Sequence, residues 1–240
     1  MTEDKSGYEI ALERIAAVRE SMGTDEEIYK LNLSSLLLKE IPKEVNDLTN
    51  LEKFDLSLNL IRKIENLDQL SNLKILNLET NQINKIENLD SLAKLEELFL
   101  YDNEISKIEN LDRLTKLTIL ILEKNQISKI ENLNHLTYLV KLDLERNQIS
   151  KIENLDKLIN LKELYLYGNQ IIKIENLNQL TTLNKLNLEE NQISKIENLD
   201  QLIYLKELNL SKNRIEKIEN LDHLTNLTIL LLSKIPISKN

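Results

Sequence analysis

Of the residue types that hold metal ions or move protons, this 240-residue chain offers two histidines, 40 acidic residues and no cysteine. Without a thiol there is no thiolate ligand, no cysteine nucleophile and no disulfide. His135 and His223 are 88 residues apart (223 minus 135), which is four times 22, the interval at which the sequence repeats. Equivalent positions of a stacked repeat stay repeats apart in space, so the imidazoles cannot share a metal, and each reads as a solvent-facing side chain. Carboxylates recur at the same interval: Glu65, Glu87 and Glu109 form one column, and Asp68, Asp90 and Asp112 a second. Neighbours in such a column sit about 5 Å apart, close enough to take calcium or to be neutralised by adjacent cations. Lysine stands two residues before each of these glutamates, from Lys63 through Lys217, and favours compensated charge ladders. Acid catalysis needs a pocket with one distinct pair of carboxylates, and an eightfold repetition supplies neither. Gly7, Gly23 and Gly168 are too scattered for a phosphate-cradling loop. No catalytic residue, no cofactor and no metal are therefore expected.

The elements that position these groups follow from the repeat. Starting at Leu51, a 22-residue unit recurs eight times without insertion or deletion and ends at Asn226; LTILILEKNQISKIENLNHLTY, from Leu117, is representative. Positions 1, 4, 6, 11, 14, 17 and 20 are Leu or Ile in every unit, Phe54 being the one substitute. Alternation at 4 and 6 predicts a short strand over positions 3 to 7. Apolar residues three apart at 11, 14, 17 and 20 predict an extended return with a turn of 3₁₀ helix near Asn-Leu-Asp. Stacked coils of this kind give a parallel sheet on one side, each burying its apolar residues only against its neighbours. Position 9 is always Asn, from Asn59 through Asn213, and its amide can satisfy backbone groups that the coil leaves without partners.

The string LxxLxLxxNxI, present as LVKLDLERNQI from Leu139 to Ile149, resembles the leucine-rich repeat. Its continuation KIENL, Lys151 to Leu155, is similar to the 22-residue subclass found in the nuclear regulatory subunit of protein phosphatase one and to the repeats of bacterial internalins. The likeness covers residues 29 to 237. It implies an α/β fold: a right-handed leucine-rich-repeat solenoid with a parallel concave β-sheet, a 3₁₀ or extended convex side and an N-terminal capping helix. Its functional implications are protein binding, regulation of a phosphatase, or service as the sensor arm of a larger Roco-like or internalin-like protein; the uniformity of the units also suits an engineered repeat scaffold.

The expected divisions are residues 1–27 for the N-terminal capping helix region, 28–50 for a 23-residue first repeat, 51–226 for the eight units and 227–240 for a truncated terminal repeat. Ser6 to Glu9 has the capping-box pattern, and Tyr8, Ala11, Leu12, Ile15 and Val18 follow at helical spacing, predicting a helix over 6–22 with Gly23 as its stop. Its polar face, with Glu9, Glu13 and Glu20 against Arg14 and Arg19, is not basic, so it reads as a lid on the first coil and not a membrane-surface helix. In the first repeat Leu36 stands where the Asn belongs. The terminal repeat places Leu227, Leu230 and Leu232 inward and departs at Ile235-Pro236, which predicts an open sheet edge that is either blunted by Pro236, Lys234 and Lys239 or paired with another copy or a further domain, weak self-association being the favoured outcome.

A formal charge of -9 repels nucleic acids and anionic membranes, so neither is expected as a partner. No membrane span or signal peptide is readable, and a cysteine-free chain suits the cytoplasm. The three Asn-Leu-Ser/Thr sequons, at Asn32, Asn209 and Asn226, then read as chance products of the composition. Positions 13 to 18 barely change between units, whereas positions 3, 5, 7 and 8, outward on the strand side, differ. Across the eight units, positions 3, 5, 7, 8 and 10 carry 12 acidic and 7 basic residues, a face that steers a basic partner. Apolar residues cluster there: Phe99 and Tyr101, then Ile119 and Ile121, and two units further Tyr165 and Tyr167. Glu123, Asp143 and Glu145 lie between and around them. These nine residues are the expected binding site for a protein partner with a basic segment.

Overall fold

The computed structural model describes residues 5–21 and 29–236. Its element order is one α-helix, α1 (Gly7–Ser21), followed by ten three-residue strands. These are β1 (Lys30–Asn32), β2 (Lys53–Asp55), β3 (Ile75–Asn77), β4 (Glu97–Phe99), β5 (Ile119–Ile121), β6 (Lys141–Asp143), β7 (Glu163–Tyr165), β8 (Lys185–Asn187), β9 (Glu207–Asn209) and β10 (Ile229–Leu231). They form a single parallel sheet in sequence order, so the chain is a solenoid that advances one strand per coil. Register is constant: Leu98 pairs with Leu120, Leu120 with Leu142, and Leu142 with Leu164. Position 4 therefore forms a continuous inward row, and positions 3 and 5 form two outward ones.

The expected strand over positions 3 to 7 is shorter, covering 3 to 5, but hydrogen bonds between coils continue past it. The Leu100 N–H donates to the Ile121 carbonyl at 2.9 Å, and the Asp102 N–H to that of Glu123 at 3.0 Å. The strand stops because position 8 turns the chain with a left-handed φ, between 51° and 66° in the eight units. The return leg carries two successive i to i+3 bonds, such as Leu114 N–H to Leu111 C=O and Leu117 N–H to Leu114 C=O. Only the first repeat extends this into a 3₁₀ helix, Lys43–Asp47, among the described residues.

Two columns of asparagine tie the coils together. Asn125 is typical of position 9: its Oδ1 accepts the Ile105 N–H of the preceding coil at 2.9 Å, and its Nδ2 donates to the Leu100 carbonyl of that coil at 2.9 Å and to Leu122 in its own at 3.1 Å. Asn59 reaches into the first repeat in the same way, accepting from both Leu36 and Leu38, which is how that repeat dispenses with its own Asn. The second column, at position 16, has φ of 56° to 60°, and each amide donates to an Ile carbonyl one coil back, as Asn132 does to Ile108 at 2.7 Å. Asn is the side-chain-bearing residue best suited to that backbone region and also carries the needed donor.

At the N-terminal end the capping box forms: the Ser6 N–H donates to Glu9 Oε2 at 2.8 Å and the Glu9 N–H to Ser6 Oγ at 3.3 Å. Helix α1 buries Ala11 and Ile15 on the first coil, with Tyr8, Ile10 and Val18 packed beside them. Gly7 permits this approach, since a Cβ there would sit 1.6 Å from the Leu36 carbonyl oxygen. The expected helix stop at Gly23 lies outside the described residues.

Candidate functional site

The outward row at position 5 reads Asn77, Phe99, Ile121, Asp143, Tyr165, Asn187 by direct strand pairing. The adjacent position-3 row reads Glu97, Ile119, Lys141, Glu163, Lys185, Glu207. The sheet thus brings all nine expected residues onto one face, with Phe99 and Tyr165 three strands, about 15 Å, apart. The two middle members of the row are less accessible than outward positions suggest, because Ile121 and Asp143 each retain 9% exposure. Their neighbours on both sides are a strand spacing away, and the Phe99 and Tyr165 side chains flank the pair.

Glu123, Asp143 and Glu145 converge, with carboxylate oxygens within 4.8 Å of one another. Partial burial and mutual repulsion act on them together. Burial raises the Asp143 carboxyl to about 6, opposed by the Glu145 N–H that it accepts at 3.1 Å. Burial, then the charges of Asp143 and Glu123, raise Glu145 to about 7, while Asn187 Nδ2 holds its Oε1 at 2.7 Å. The charge of Lys141 favours ionised Asp143 and that of Arg146 favours ionised Glu145, but both effects are outweighed by burial, and the two cations lie over tyrosine rings, at 5.1 and 5.4 Å from the centroids. Chemically the cluster can accept a cation, whether an ammonium, a guanidinium or a divalent ion.

The aromatic groups are less free than expected. Lys124 lies 5.8 Å from the Tyr101 ring centroid, and Arg146 and Lys212 lie 5.4 and 5.6 Å from that of Tyr167. Tyr165 is half-buried, its hydroxyl donates to Glu163 at 3.0 Å, and Lys141 stands 5.1 Å from its ring. Lys212 is itself held between Glu189 at 2.8 Å and Glu190 at 3.0 Å, which raises its affinity for the proton. Position 8 thus supplies cations that roof the tyrosines, a role the sequence reading did not assign. That reading also passed over a hollow of about 350 Å³ at the N-terminal side of Phe99, lined by Lys53, Asp55, Ile75 and Asn77 among others.

On the return face the histidines remain separate and exposed, His135 Nε2 lying 3.5 Å from Asp112 and His223 Nε2 3.8 Å from Asp200. The expected Lys–Glu ladder is largely open: among the described residues, Lys63 and Glu65 close to 3.6 Å, and the other coils show no such pair. Exposed side chains two residues apart on a tight return gain too little to be held together.

A model of leucine-rich repeats, two copies at a time, matches residues 93–135, 115–157 and 159–201. The solved internalin inlF of Listeria monocytogenes is similar along 100% of this chain and 81% of its own, at 27% identity and a TM-score of 0.76. Internalin C2 of the same organism shares 30% identity over 80% of this chain and 84% of its own, with a TM-score of 0.67. The ectodomain of the Arabidopsis thaliana membrane receptor kinase GASSHO1/SCHENGEN3, solved in complex with Casparian strip integrity factor 2, matches 88% of this chain but 27% of its own at 25% identity, with a TM-score of 0.72. A search of curated proteins finds no match. The chain belongs to the leucine-rich repeat family. Its coils are of the internalin type. No helix among the described residues is long and apolar enough to cross a membrane.

Proposed function

We propose that the protein is a non-catalytic binding module that holds a partner protein on the outward face of its sheet, between the Phe99–Tyr101–Ile119–Ile121 group and the Tyr165–Tyr167 group. The observation that carries this reading is the convergence of Glu123, Asp143 and Glu145 on the strip between those groups. A lysine or arginine from a basic segment of the partner replaces the missing cation there, while its flanking side chains displace the position-8 cations from the tyrosine rings. The complex of the plant ectodomain is of the same general kind. The cytoplasm remains the proposed place of action, on the cysteine-free composition.

The test is selection of binding peptides from a displayed library, followed by affinity measurement on variants. Selected peptides are expected to carry Lys or Arg between apolar residues. Replacing Tyr101 and Tyr167 by Ala should weaken them by about 2 kcal/mol each, against at most about 1 kcal/mol of fold stability lost with the cation–π contacts. Lys129→Ala and Glu131→Ala, on the return face, should change little. Peptides that lose binding only through the return-face variants would place the site on the other side of the solenoid.

A further inference from the structure

We propose that the edge where the chain enters its strands, from Tyr138 to Lys206, is a second docking surface, fitted to an acidic segment of a partner protein. It lies beside the face between the Phe99 and Tyr167 groups and stands independently of that reading. Each coil crosses this edge at positions 21, 22, 1 and 2. Position 1 is a buried Leu, and the other three are wholly or partly exposed. In the central coils they include Tyr138, Ile159, Ile203 and Tyr204, exposed to 62, 54, 47 and 56%. Tyr138 and Tyr204 are three coils apart, so the apolar strip is about 15 Å long.

Position 22 has a backbone task that the two tyrosines abandon. Asn72, Asn160, Thr182 and Asn226 each donate from it to the position-21 carbonyl one coil back, at 3.0, 2.8, 2.9 and 2.6 Å. Tyr138 and Tyr204 make no such bond, and an exposed ring stands where a fastening between coils would be. Lys94 and Lys116 give it up as well, but they expose a charge and not an apolar surface.

Charge selects the occupant. Although 40 of the 240 residues are acidic, the four edge stretches Thr137–Val140, Ile159–Lys162, Thr181–Asn184 and Ile203–Lys206 contain no carboxylate. Lys162 and Lys206 are exposed there, and neither forms an ion pair among the described residues. They border a hollow of about 490 Å³ whose lining also includes Val140 and Asn184. The acids next along the chain are engaged elsewhere: Glu163 accepts from the Tyr165 hydroxyl at 3.0 Å, and Glu207 meets Lys185 at 3.6 Å. Nearer the N-terminus the same edge carries Glu52 and Glu96, with Lys74 held by Glu52 at 2.6 Å. The matching segment has two carboxylates about 10 Å apart, the two-coil interval from Lys162 to Lys206, with apolar side chains laid on the strip. Single-stranded nucleic acid fits less well, because Ile159 and Ile203 offer no ring to stack on and the chain carries a charge of -9.

The test is selection from a displayed peptide library on the full chain carrying Tyr101→Ala and Tyr167→Ala, so that the outcome does not depend on the central face. Selected peptides are expected to combine Asp or Glu with apolar residues, and their affinity should fall with salt. Lys162→Glu with Lys206→Glu, and separately Tyr138→Ser with Tyr204→Ser, should each weaken them about tenfold or more, with unchanged circular dichroism. Exchanging the peptide's acids for Lys should restore binding to the Lys162→Glu, Lys206→Glu protein. Peptides without acidic residues, acidic peptides indifferent to both edge variants, or a single-stranded oligonucleotide that binds more tightly through the same four residues would each overturn the proposal.

Discussion

Replacing Asp143 with Asn should make the protein more stable at pH 8 and leave it nearly unchanged at pH 4. Burial raises the folded-state carboxyl from an ordinary 3.8 to about 6. The folded chain therefore binds this proton more tightly than the unfolded chain, and stability falls as pH rises from about 4 to about 7. Roughly two pH units at 1.36 kcal/mol each set a limit of about 3 kcal/mol, and coupling to Glu145 and Glu123 brings the expected difference to about 2 kcal/mol. Nothing else at the site should suffer, because an amide oxygen accepts the N–H two residues on equally well. Asn77, Asn187 and Asn209 already do so at the same position of their coils, at 2.9, 3.1 and 3.1 Å. Urea unfolding of both proteins at pH 4, 6 and 8, followed by circular dichroism, gives the difference directly where the m-values agree. Carbon-13 titration of the side-chain carboxyls gives an independent readout, since loss of the Asp143 charge should lower Glu145 from about 7. A difference that stays constant with pH, or an Asn variant less stable at pH 8, would refute the claim that burial of this carboxylate opposes folding.

Asn125→Ala should cost about 2 kcal/mol and Ser128→Ala almost nothing in the same unfolding assay, because the first strands the buried Ile105 N–H and leaves the Leu100 carbonyl only the Asn103 amide, while Ser128 is exposed. Gly7→Ala should lift α1 from the first coil, read as faster hydrogen exchange at Leu31 and Leu33 with the central coils unaffected. Thr80→Gly should stabilise by about 1 kcal/mol in thermal unfolding, because Thr80 is β-branched and sits at φ 53°.

The register of the sheet was legible because seven apolar positions repeat with no insertion: once Leu98, Leu120 and Leu142 are equivalent in sequence, coil stacking makes them neighbours. The capping box was legible because its two partners are three residues apart. What escaped depends on geometry between coils. Nothing local to Lys124, Arg146 or Lys212 says that a position-8 cation lies over a tyrosine at position 7 of another coil. The carboxylate trio was named residue by residue, but its proton affinity follows from burial that one strand's sequence does not express. The position-16 Asn column was hidden by its uniformity, since KIENL identical in every unit reads as duplication until the left-handed φ and the bond to the preceding coil give it a task.

That distinction between positions with a backbone task and positions without one bears on the binding face. At position 5, Asn32, Asp55, Asn77, Asp143, Asn187 and Asn209 each accept the N–H two residues ahead, at 2.9 to 3.1 Å where the chain leaves the strand. Such a bond is worth about 1 kcal/mol and makes Asn or Asp the natural residue there. Four coils give it up, placing Phe99, Ile121, Tyr165 and Leu231 at that position. A side chain chosen for the stability of its own coil would not be apolar at an outward position with an amide to cap. Three of the four, Phe99, Ile121 and Tyr165, lie on the proposed partner surface. At these three the local hydrogen bond is lost where the proposed partner would cover the side chain that replaces it. Neutral drift among equivalent coils would instead scatter polar and small residues through the same row.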